Sequence, residues 1–460
     1  MKRDLRSSAR RWSLNFALAV ISAVPAAAEV SYHREIRPLL QRNCQGCHQP
    51  NMRSSDLDLT GYEALRAGGK RGASYKPGSP DESILVRYLT GDMKPQMPMG
   101  QPPLKSEEID LFKAWIREGA KDDTPPEARR NAAPDAPISY AQPPVTTALA
   151  FSPDGATLAV SGYREVLLIP ADGETHRARL PGMSERIQSL AFSSDGAILM
   201  AAGGTPAQFG EVQFWDAKNA TLLRSLSLTG DTVFGGSLSS DGSRAAVGAA
   251  DNTVRILETA TGKELHKIGN HENWVLATVF GKDGKRIVSV GRDRAAKLTD
   301  AVSGAFLENV NLLRGELSAV ARHPSQDVVV IGGEERVPYV YLMDRPKNMK
   351  IADDTTLVRK LERQQGAIFA LAWSPDGKQI AVAGASPEVI LYDAETGKRL
   401  AACTGHPAGI YAVAFTPDSS RIATGGFDGQ VRIYETATGK QVRAFVPVPL
   451  EISSARGSAQ

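Results

Sequence analysis

Cysteine is scarce in this sequence, which has only Cys44, Cys47 and Cys403 among its 460 residues. So few cysteines exclude the disulfide framework that stabilises many small secreted domains. Cys403 stands alone in a strand-like stretch and is interpreted as a buried free thiol, because unpaired cysteine is commonly buried. Cys44 and Cys47 belong instead to the compact motif Cys44-x-x-Cys47-His48, which is the first candidate site.

The sequence also lacks an apolar run long enough to cross a membrane. The apolar stretch broadly from Leu14 to Val24 is broken by Asn15 and Ser22, and a span needs roughly 20 apolar residues. Basic residues precede this stretch and Ala26-Ala27-Ala28 follows it, which is the pattern of a cleaved signal peptide. We expect residues 1–28 to be removed after Ala28, which leaves an exported, periplasmic protein without an integral membrane segment.

The sequence also lacks a strong net charge. The formal charge is +3, and the first 28 residues supply five basic residues and one acidic residue, so the remainder stands near −1. A chain this close to neutral has no electrostatic basis for binding nucleic acid.

Residues 29–122 carry a helical pattern, which predicts a small all-α domain. Helices are expected at Tyr32–Arg42, from the capping-box sequence Ser79-Pro80-Asp81-Glu82 onward, and from Ser106 to a stop at Gly119. Short helices with long loops cannot fill a core alone, but they fit around a large apolar cofactor. Residues 123–143 are rich in proline and alanine and are predicted to form a linker.

The rest of the chain repeats itself. The line ALAFSPDGATLAVSG (148–162) recurs in six further copies, for example as ALAWSPDGKQIAVAG (370–384) and AVAFTPDSSRIATGG (412–426). Each copy predicts a strand, an Asp-Gly type of turn and a second strand, and a third and a fourth strand follow. Seven such units resemble the WD40 repeat, which implies an all-β, seven-bladed propeller over residues 144–448 and a disordered tail over 449–460.

The resemblance to WD40 blades also implies roles for two histidines. In such blades a His, a Ser or Thr and an Asp form a buried hydrogen-bond network, and this chain repeats the same intervals twice: His271, Ser289 and Asp293, then His406, Thr424 and Asp428. We therefore expect both histidines to be structural, because buried polar groups need partners.

Three kinds of site fit Cys44-x-x-Cys47-His48. A zinc site needs about four ligands at short spacing, and no second Cys-x-x-Cys is present. A redox dithiol gives no role to the adjacent histidine. Haem c attachment uses every residue, because Cys44 and Cys47 add to the two vinyl groups and His48 becomes the proximal ligand of the iron. We predict one covalently bound haem c.

The sixth iron ligand is sought in MKPQMPMG, which contains Met93, Met97 and Met99 in a proline-rich loop; His33 is a further alternative. The stretches YHREIRPLLQRNCQGCHQP, PGSPDESILVRYLTG, MPMGQPPLKSEEI and AWIREGA resemble, in order, the planctomycete-type cytochrome c domain. In that family the ligand is the methionine of an M-P-P loop. The resemblance therefore implies Met97, which precedes Pro98, with Met99 and Met93 as alternatives.

Thioether ligation leaves the iron six-coordinate and favours one-electron transfer over substrate chemistry. We therefore expect an electron carrier, rather than a catalyst, with a redox partner protein that docks on the propeller or at the haem edge. The alternative is a periplasmic oxidoreductase in which the propeller binds a substrate or a second cofactor and the haem relays electrons.

Overall fold

The computed structural model describes residues 29–44, 47–49, 52–100, 102–124, 138–173, 176–312, 314–345 and 354–450. The predicted signal peptide, residues 1–28, lies outside the described residues, as do residues 125–137 of the predicted linker and residues 451–460 of the predicted tail. Within the described ranges, no helix is both long and apolar enough to cross a membrane.

The amino-terminal segment consists of short helices, turns and one hairpin. Its helical elements are a π-helical turn Tyr32–Ile36, α1 Arg37–Asn43, α2 Tyr62–Ala67, α3 Ile84–Thr90 and α4 Ser106–Arg117, with 3-10 turns at Ser54–Asp56 and Pro80–Glu82. The strands β1 His48–Gln49 and β2 Met52–Arg53 form an antiparallel hairpin. Helices occur in each of the three predicted regions, although α3 begins at Ile84 and not at Pro80, whereas α2 and the hairpin were not predicted.

One apolar core holds these helices together. Leu40 of α1 and Phe112 of α4 are fully buried, and Trp115 of α4 is almost so. The ring of Trp115 lies 5.5 Å from that of Tyr32, and its indole N–H donates to the carbonyl of Lys121 at 3.0 Å. Trp115 thus joins the first helical turn, α4 and the chain that follows α4.

The capping box predicted at Ser79 does not form. Residues Pro80–Glu82 make a 3-10 turn, and Ser83 then adopts an extended conformation (ψ 123°) before α3 begins at Ile84. The hydroxyl of Ser83 donates to the carbonyl of Ser79 and accepts from the amide of Lys76, both at 2.9 Å. Ser83 thus directly precedes α3, but its hydroxyl bonds to the preceding turn and does not cap the helix.

The remainder of the described chain is built from antiparallel sheets. The first sheet has seven strands: β3 Leu149–Phe151, β4 Thr157–Ser161, β5 Tyr163–Pro170, β6 Ala178–Phe192, β7 Ile198–Thr205, β8 Phe209–Asp216 and β9 Thr221–Thr229. Five four-stranded sheets follow: β10 Val233–Leu238, β11 Arg244–Ala249, β12 Val254–Glu258, β13 Glu264–Ile268; β14 Val275–Phe280, β15 Arg286–Gly291, β16 Ala296–Asp300, β17 Phe306–Asn309; β18 Leu317–Arg322, β19 Val328–Gly333, β20 Tyr339–Leu342, β21 Leu357–Lys360; β22 Ile368–Trp373, β23 Gln379–Gly384, β24 Val389–Asp393, β25 Arg399–Cys403; and β26 Ile410–Phe415, β27 Arg421–Gly426, β28 Val431–Glu435, β29 Gln441–Phe445.

The long strand β6 explains why the first sheet has seven strands. Its first residues, Ala178–Pro181, pair with β5, whereas residues Arg186–Phe192 pair with β7. One strand thus serves as the outer strand of one four-stranded unit and the inner strand of the next. The strands therefore fall into seven groups of four, one for each sequence repeat, which is consistent with a WD40 propeller.

The sheets pack side by side, and the last packs against the first. Leu149 of β3 shares an apolar cluster with Ala412 of β26 and Val431 of β28. The amide of Thr146, just before β3, donates to the carbonyl of Gly426 at the end of β27 at 3.1 Å. The first and last repeats are therefore neighbours in space although they are far apart in sequence.

Tyr140, which the sequence analysis placed in the linker, is packed within this unit. It is buried, forms a parallel bridge with Leu450, and its hydroxyl donates to the carboxylate of Glu165 at 2.6 Å. Arg179 holds the same carboxylate at 2.6 Å. The end of the predicted linker and the start of the predicted tail thus meet where the last sheet joins the first.

Candidate haem site and propeller face

The Cys-x-x-Cys-His motif forms a turn at the end of α1. The amide of Cys44 closes the helix on the carbonyl of Leu40 at 2.9 Å, and the amides of Cys47 and His48 both return to the carbonyl of Cys44, at 3.2 and 3.1 Å. Gln45 and Gly46 lie outside the described residues. Since one carbonyl accepts both amides, the two cysteines and the histidine are held on a single turn.

The imidazole of His48 is oriented for use as a ligand. Its Nδ1 lies 3.1 Å from the carbonyl oxygen of Ser54, and because a carbonyl only accepts, Nδ1 carries the proton and donates. The lone pair of Nε2 is then available, and hydrogen bonding of the other nitrogen is how metal-bound histidines are usually oriented. Burial lowers the pKa of His48, against the opposing effect of the Ser54 carbonyl, which favours the neutral form that binds metals.

The two cysteines differ in their surroundings. Cys44 packs against the helical core, and burial, with a smaller contribution from Cys47, raises the pKa of its thiol to about 12. Cys47 is exposed. A reactive redox dithiol needs a lowered thiol pKa, so the surroundings of Cys44 disfavour that interpretation of the motif.

The three methionines of the loop differ in how deeply they are buried. Met97 packs against the same helical core as Cys44, whereas the side chain of Met99 is 68% exposed. Met93 is half-buried, and its amide donates to the carbonyl of Arg87 at 2.9 Å. Of the three candidates, Met97 shares the core with a cysteine of the attachment motif. His33, the other alternative, lies 3.5 Å from the guanidinium of Arg37, and burial followed by Arg37 lowers its pKa.

The residues of this segment fit a haem in one further respect. The buried hydroxyls of Tyr32 and Ser74 have no hydrogen-bond partner within the described ranges, and buried polar groups normally have one. A haem brings carboxylates that can accept such bonds and four nitrogens for its iron, so the protein need supply only axial ligands. Accordingly, a haem does not require a cluster of three or more His, Cys, Asp or Glu side chains, and the described residues contain none that could hold a metal ion.

Comparison with known families agrees with both halves of the chain. The family "Planctomycete cytochrome C" matches residues 44–99, which run from Cys44 through the methionine loop. The WD domain, G-beta repeat, matches residues 262–300 and 397–435, and the WD40 domain of anaphase-promoting complex subunit 4 matches residues 324–415. The chain joins a planctomycete-type cytochrome c segment to WD40 repeats.

Among curated proteins, this chain is similar to several WD-repeat proteins. An uncharacterized WD repeat-containing protein of Schizosaccharomyces pombe is 23% identical over 211 residues, covering 36% of this chain and 34% of that protein. The transcription factor unc-37 of Caenorhabditis elegans is 28% identical over 202 residues, covering 43% of this chain and 31% of that protein. The chain thus spans about a third of the length of these relatives.

The predicted histidine network is confirmed in the fourth unit of the WD40 part. His271 lies with Nδ1 2.9 Å from the carboxylate of Asp293 and with Nε2 2.8 Å from the hydroxyl of Ser289. Lys297 approaches the same carboxylate at 3.5 Å. These bonds satisfy a buried histidine within the fold, which is the structural role that the sequence predicted.

The seventh unit departs from this pattern. Nε2 of His406 bonds to the hydroxyl of Thr424 at 2.7 Å as predicted, but the guanidinium of Arg432 lies between the histidine and Asp428. Arg432 donates to Nδ1 of His406 at 3.2 Å and to Asp428 at 2.7 Å. The hydroxyl of Tyr434, on the third strand of this unit, donates to the carbonyl of Thr404 at 2.7 Å. Both histidines are structural, but Nδ1 of His271 faces a carboxylate whereas Nδ1 of His406 faces a guanidinium.

One set of surface residues was not found from the sequence. The inner strands β10, β14, β18, β22 and β26 each contain a register shift one residue after their first residue, and bulges of this kind redirect side chains. Phe234, Phe369 and Tyr411 occupy three of these bulge positions. The ring of Phe234 stacks at 5.2 Å on that of Trp274, the residue before β14, and the rings of Phe369 and Tyr411 stack at 5.3 Å. All four side chains are partly exposed, and Phe427 nearby is 61% exposed. Extending the repeat alignment two residues upstream, to VFGG, IFAL and IYAV, would have revealed most of them.

Proposed function

We propose that this chain is an exported c-type cytochrome that transfers one electron at a time through a single covalent haem. The observation that carries the proposal is the joint placement of Cys44 and Met97 on one core, beside a histidine whose Nδ1 is held by the carbonyl of Ser54. When bound, the haem supplies reversible one-electron oxidation and reduction of its iron.

The protein's own residues then have separate tasks. The thiols of Cys44 and Cys47 tether the group, His48 presents Nε2 from a fixed ring orientation, and Met97 presents a thioether from the loop after α3. Trp115 and its neighbours exclude water from this small domain, which is mainly helical and contains the hairpin of β1 and β2. In this proposal a closed site without an open position favours electron transfer over binding of a substrate to the iron.

The WD40 part is proposed to be a seven-bladed propeller on which a redox partner protein docks. Support comes from the seven groups of four strands and from the stacked aromatic pairs Phe234 with Trp274 and Phe369 with Tyr411. Aromatic side chains at protein surfaces are enriched in interfaces because one flat ring buries much area. Export rests on residues 1–28, and mass spectrometry of the secreted protein should find Glu29 at the mature amino terminus.

The test of the haem proposal is the spectrum of the purified holoprotein. The wild-type ferrous protein should be low-spin and indifferent to carbon monoxide. Met97→Ala should bind carbon monoxide rapidly, whereas the matched variant Met99→Ala should behave as wild type because Met99 is 68% exposed. Rapid carbon monoxide binding by the wild type would overturn the proposal of a six-coordinate iron. If only Met99→Ala had this effect, the sixth ligand would be Met99 and not Met97.

A further inference from the structure

The methionine loop is fastened to the end of α3. The last carbonyls of a helix have no partner within the helix and need donors from elsewhere. Three loop groups supply them: the Met93 amide to Arg87 at 2.9 Å, the Met97 amide to Tyr88 at 3.0 Å and the Gln96 side-chain amide to Leu89 at 3.2 Å. Three consecutive carbonyls are thus used to fix one loop.

Gln96 is the one member of this set that acts through its side chain. It directly precedes Met97, so its side chain and the amide of Met97 bond to adjacent carbonyls of the same helix end. Gly91 ends α3 with φ +85°, and a Cβ added there would lie 3.1 Å from Cδ of Gln96. The half-buried amide therefore lies directly over the glycine that ends the helix, in a space that a larger residue at position 91 would restrict.

We infer that Gln96 is a positioning residue, whose amide holds the loop so that the thioether of Met97 stays directed at the haem iron. The inference rests on the proposed function, because it presumes that Met97 is the sixth ligand. A neutral thioether is a weak ligand, and such ligands depend on supporting hydrogen bonds that fix their orientation. Loss of the Gln96 bond would leave the Leu89 carbonyl without its donor and the loop free to open more often.

The experiment uses the ferric holoprotein and imidazole as the probe. Imidazole can bind only when the sixth ligand leaves, so its binding rate reports how often the loop opens. Gln96→Ala should raise this rate roughly two- to tenfold, the factor expected for one lost hydrogen bond. Gln96→Glu has nearly the same shape, but its carboxylate cannot donate to the Leu89 carbonyl, so it should open at least as often.

In Gln96→Glu, acid should restore the lost hydrogen bond. As the pH falls toward the ordinary carboxyl pKa of about 4.3, the side chain gains an O–H donor. The imidazole binding rate of Gln96→Glu, relative to wild type at each pH, should then return toward one, whereas that of Gln96→Ala should not. Lys94→Ala is the matched control, because Lys94 is an exposed residue of the same loop.

Three outcomes decide the matter. Wild-type imidazole rates in both Gln96 variants, with Met97→Ala open to imidazole at once, would refute the role of Gln96 and leave the haem proposal standing. A Met97→Ala protein that keeps its sixth ligand would refute the proposed ligand itself. Faster exchange of the Met97 amide hydrogen in Gln96→Ala, measured by mass spectrometry, would support the role of Gln96 independently of imidazole.

Discussion

His406 should make the WD40 part less stable in mild acid. Its residue is 6% exposed, Nε2 donates to Thr424, and Nδ1 accepts from the guanidinium of Arg432. A proton on Nδ1 would face the donors of Arg432. Burial first, and then the positive charge of Arg432, lower the pKa of His406 to about 4.

The sign and size of the effect follow from the two pKa values. In the unfolded chain a histidine titrates near about 6.5, so as the pH falls the unfolded state binds the proton before the folded state does. The free energy of unfolding is therefore unaffected well above pH 6.5 and decreases between about 6.5 and 4. At about 1.4 kcal/mol per pH unit, the loss is about 2 kcal/mol at pH 5 and approaches about 3.4 kcal/mol below pH 4.

The assay is urea unfolding of the full-length protein at pH 7 and pH 5, followed by the circular dichroism of the sheets. Wild type should lose about 2 kcal/mol more than His406→Gln between the two pH values, because the variant cannot titrate there. Arg432→Met should show a smaller pH dependence than wild type, since it removes the charge beside Nδ1. Equal losses in wild type and His406→Gln would refute the reasoning.

Three further predictions concern stability. Trp115→Ala should lower the free energy of unfolding of the helical segment by about 3 to 5 kcal/mol, since Trp115 is 1% exposed, and thermal unfolding monitored at the haem band would measure this. Glu165→Ala should cost about 3 kcal/mol in urea unfolding, because it leaves the guanidinium of Arg179, 16% exposed, without a carboxylate partner and with only the carbonyl of Ile138 as an acceptor. Gly333→Ala should cost about 1 to 3 kcal/mol, because the new Cβ would lie 2.0 Å from the Glu316 carbonyl, whereas Gly269→Ala, with nothing within 4 Å, should change stability by less than about 0.5 kcal/mol.

Much of the fold follows from local patterns in the sequence. Alternating strands joined by Asp-Gly turns are a short-range signal, so the hairpins β14 with β15 and β22 with β23 appear where the repeats placed them. The stop of α4 is equally local, because Gly119 adopts φ +98°, which glycine alone does readily. Signals of this kind need no knowledge of distant contacts.

Other features depend on distant contacts and could not be predicted. The sequence Leu180-Pro181-Gly182 suggests a turn, yet it lies inside β6 because pairing with β5 and β7 continues on both sides. The insertion of Arg432 between His406 and Asp428 likewise depends on side-chain length across a turn. In the methionine loop, the choice between Met97 and Met99 rests on which one reaches the helical core, which spacing does not encode.

The bridge between Tyr140 and Leu450 holds the two ends of the WD40 part close together, so the distance between them can report whether the first and last sheets are joined. A donor and an acceptor dye at Ile138 and at Leu450 would sit close together for as long as the first and last sheets stay joined. The pair would separate when this junction opens, even if every individual sheet remains intact. Energy transfer between the two dyes would therefore distinguish the opening of this junction from the melting of the sheets, which circular dichroism alone cannot do.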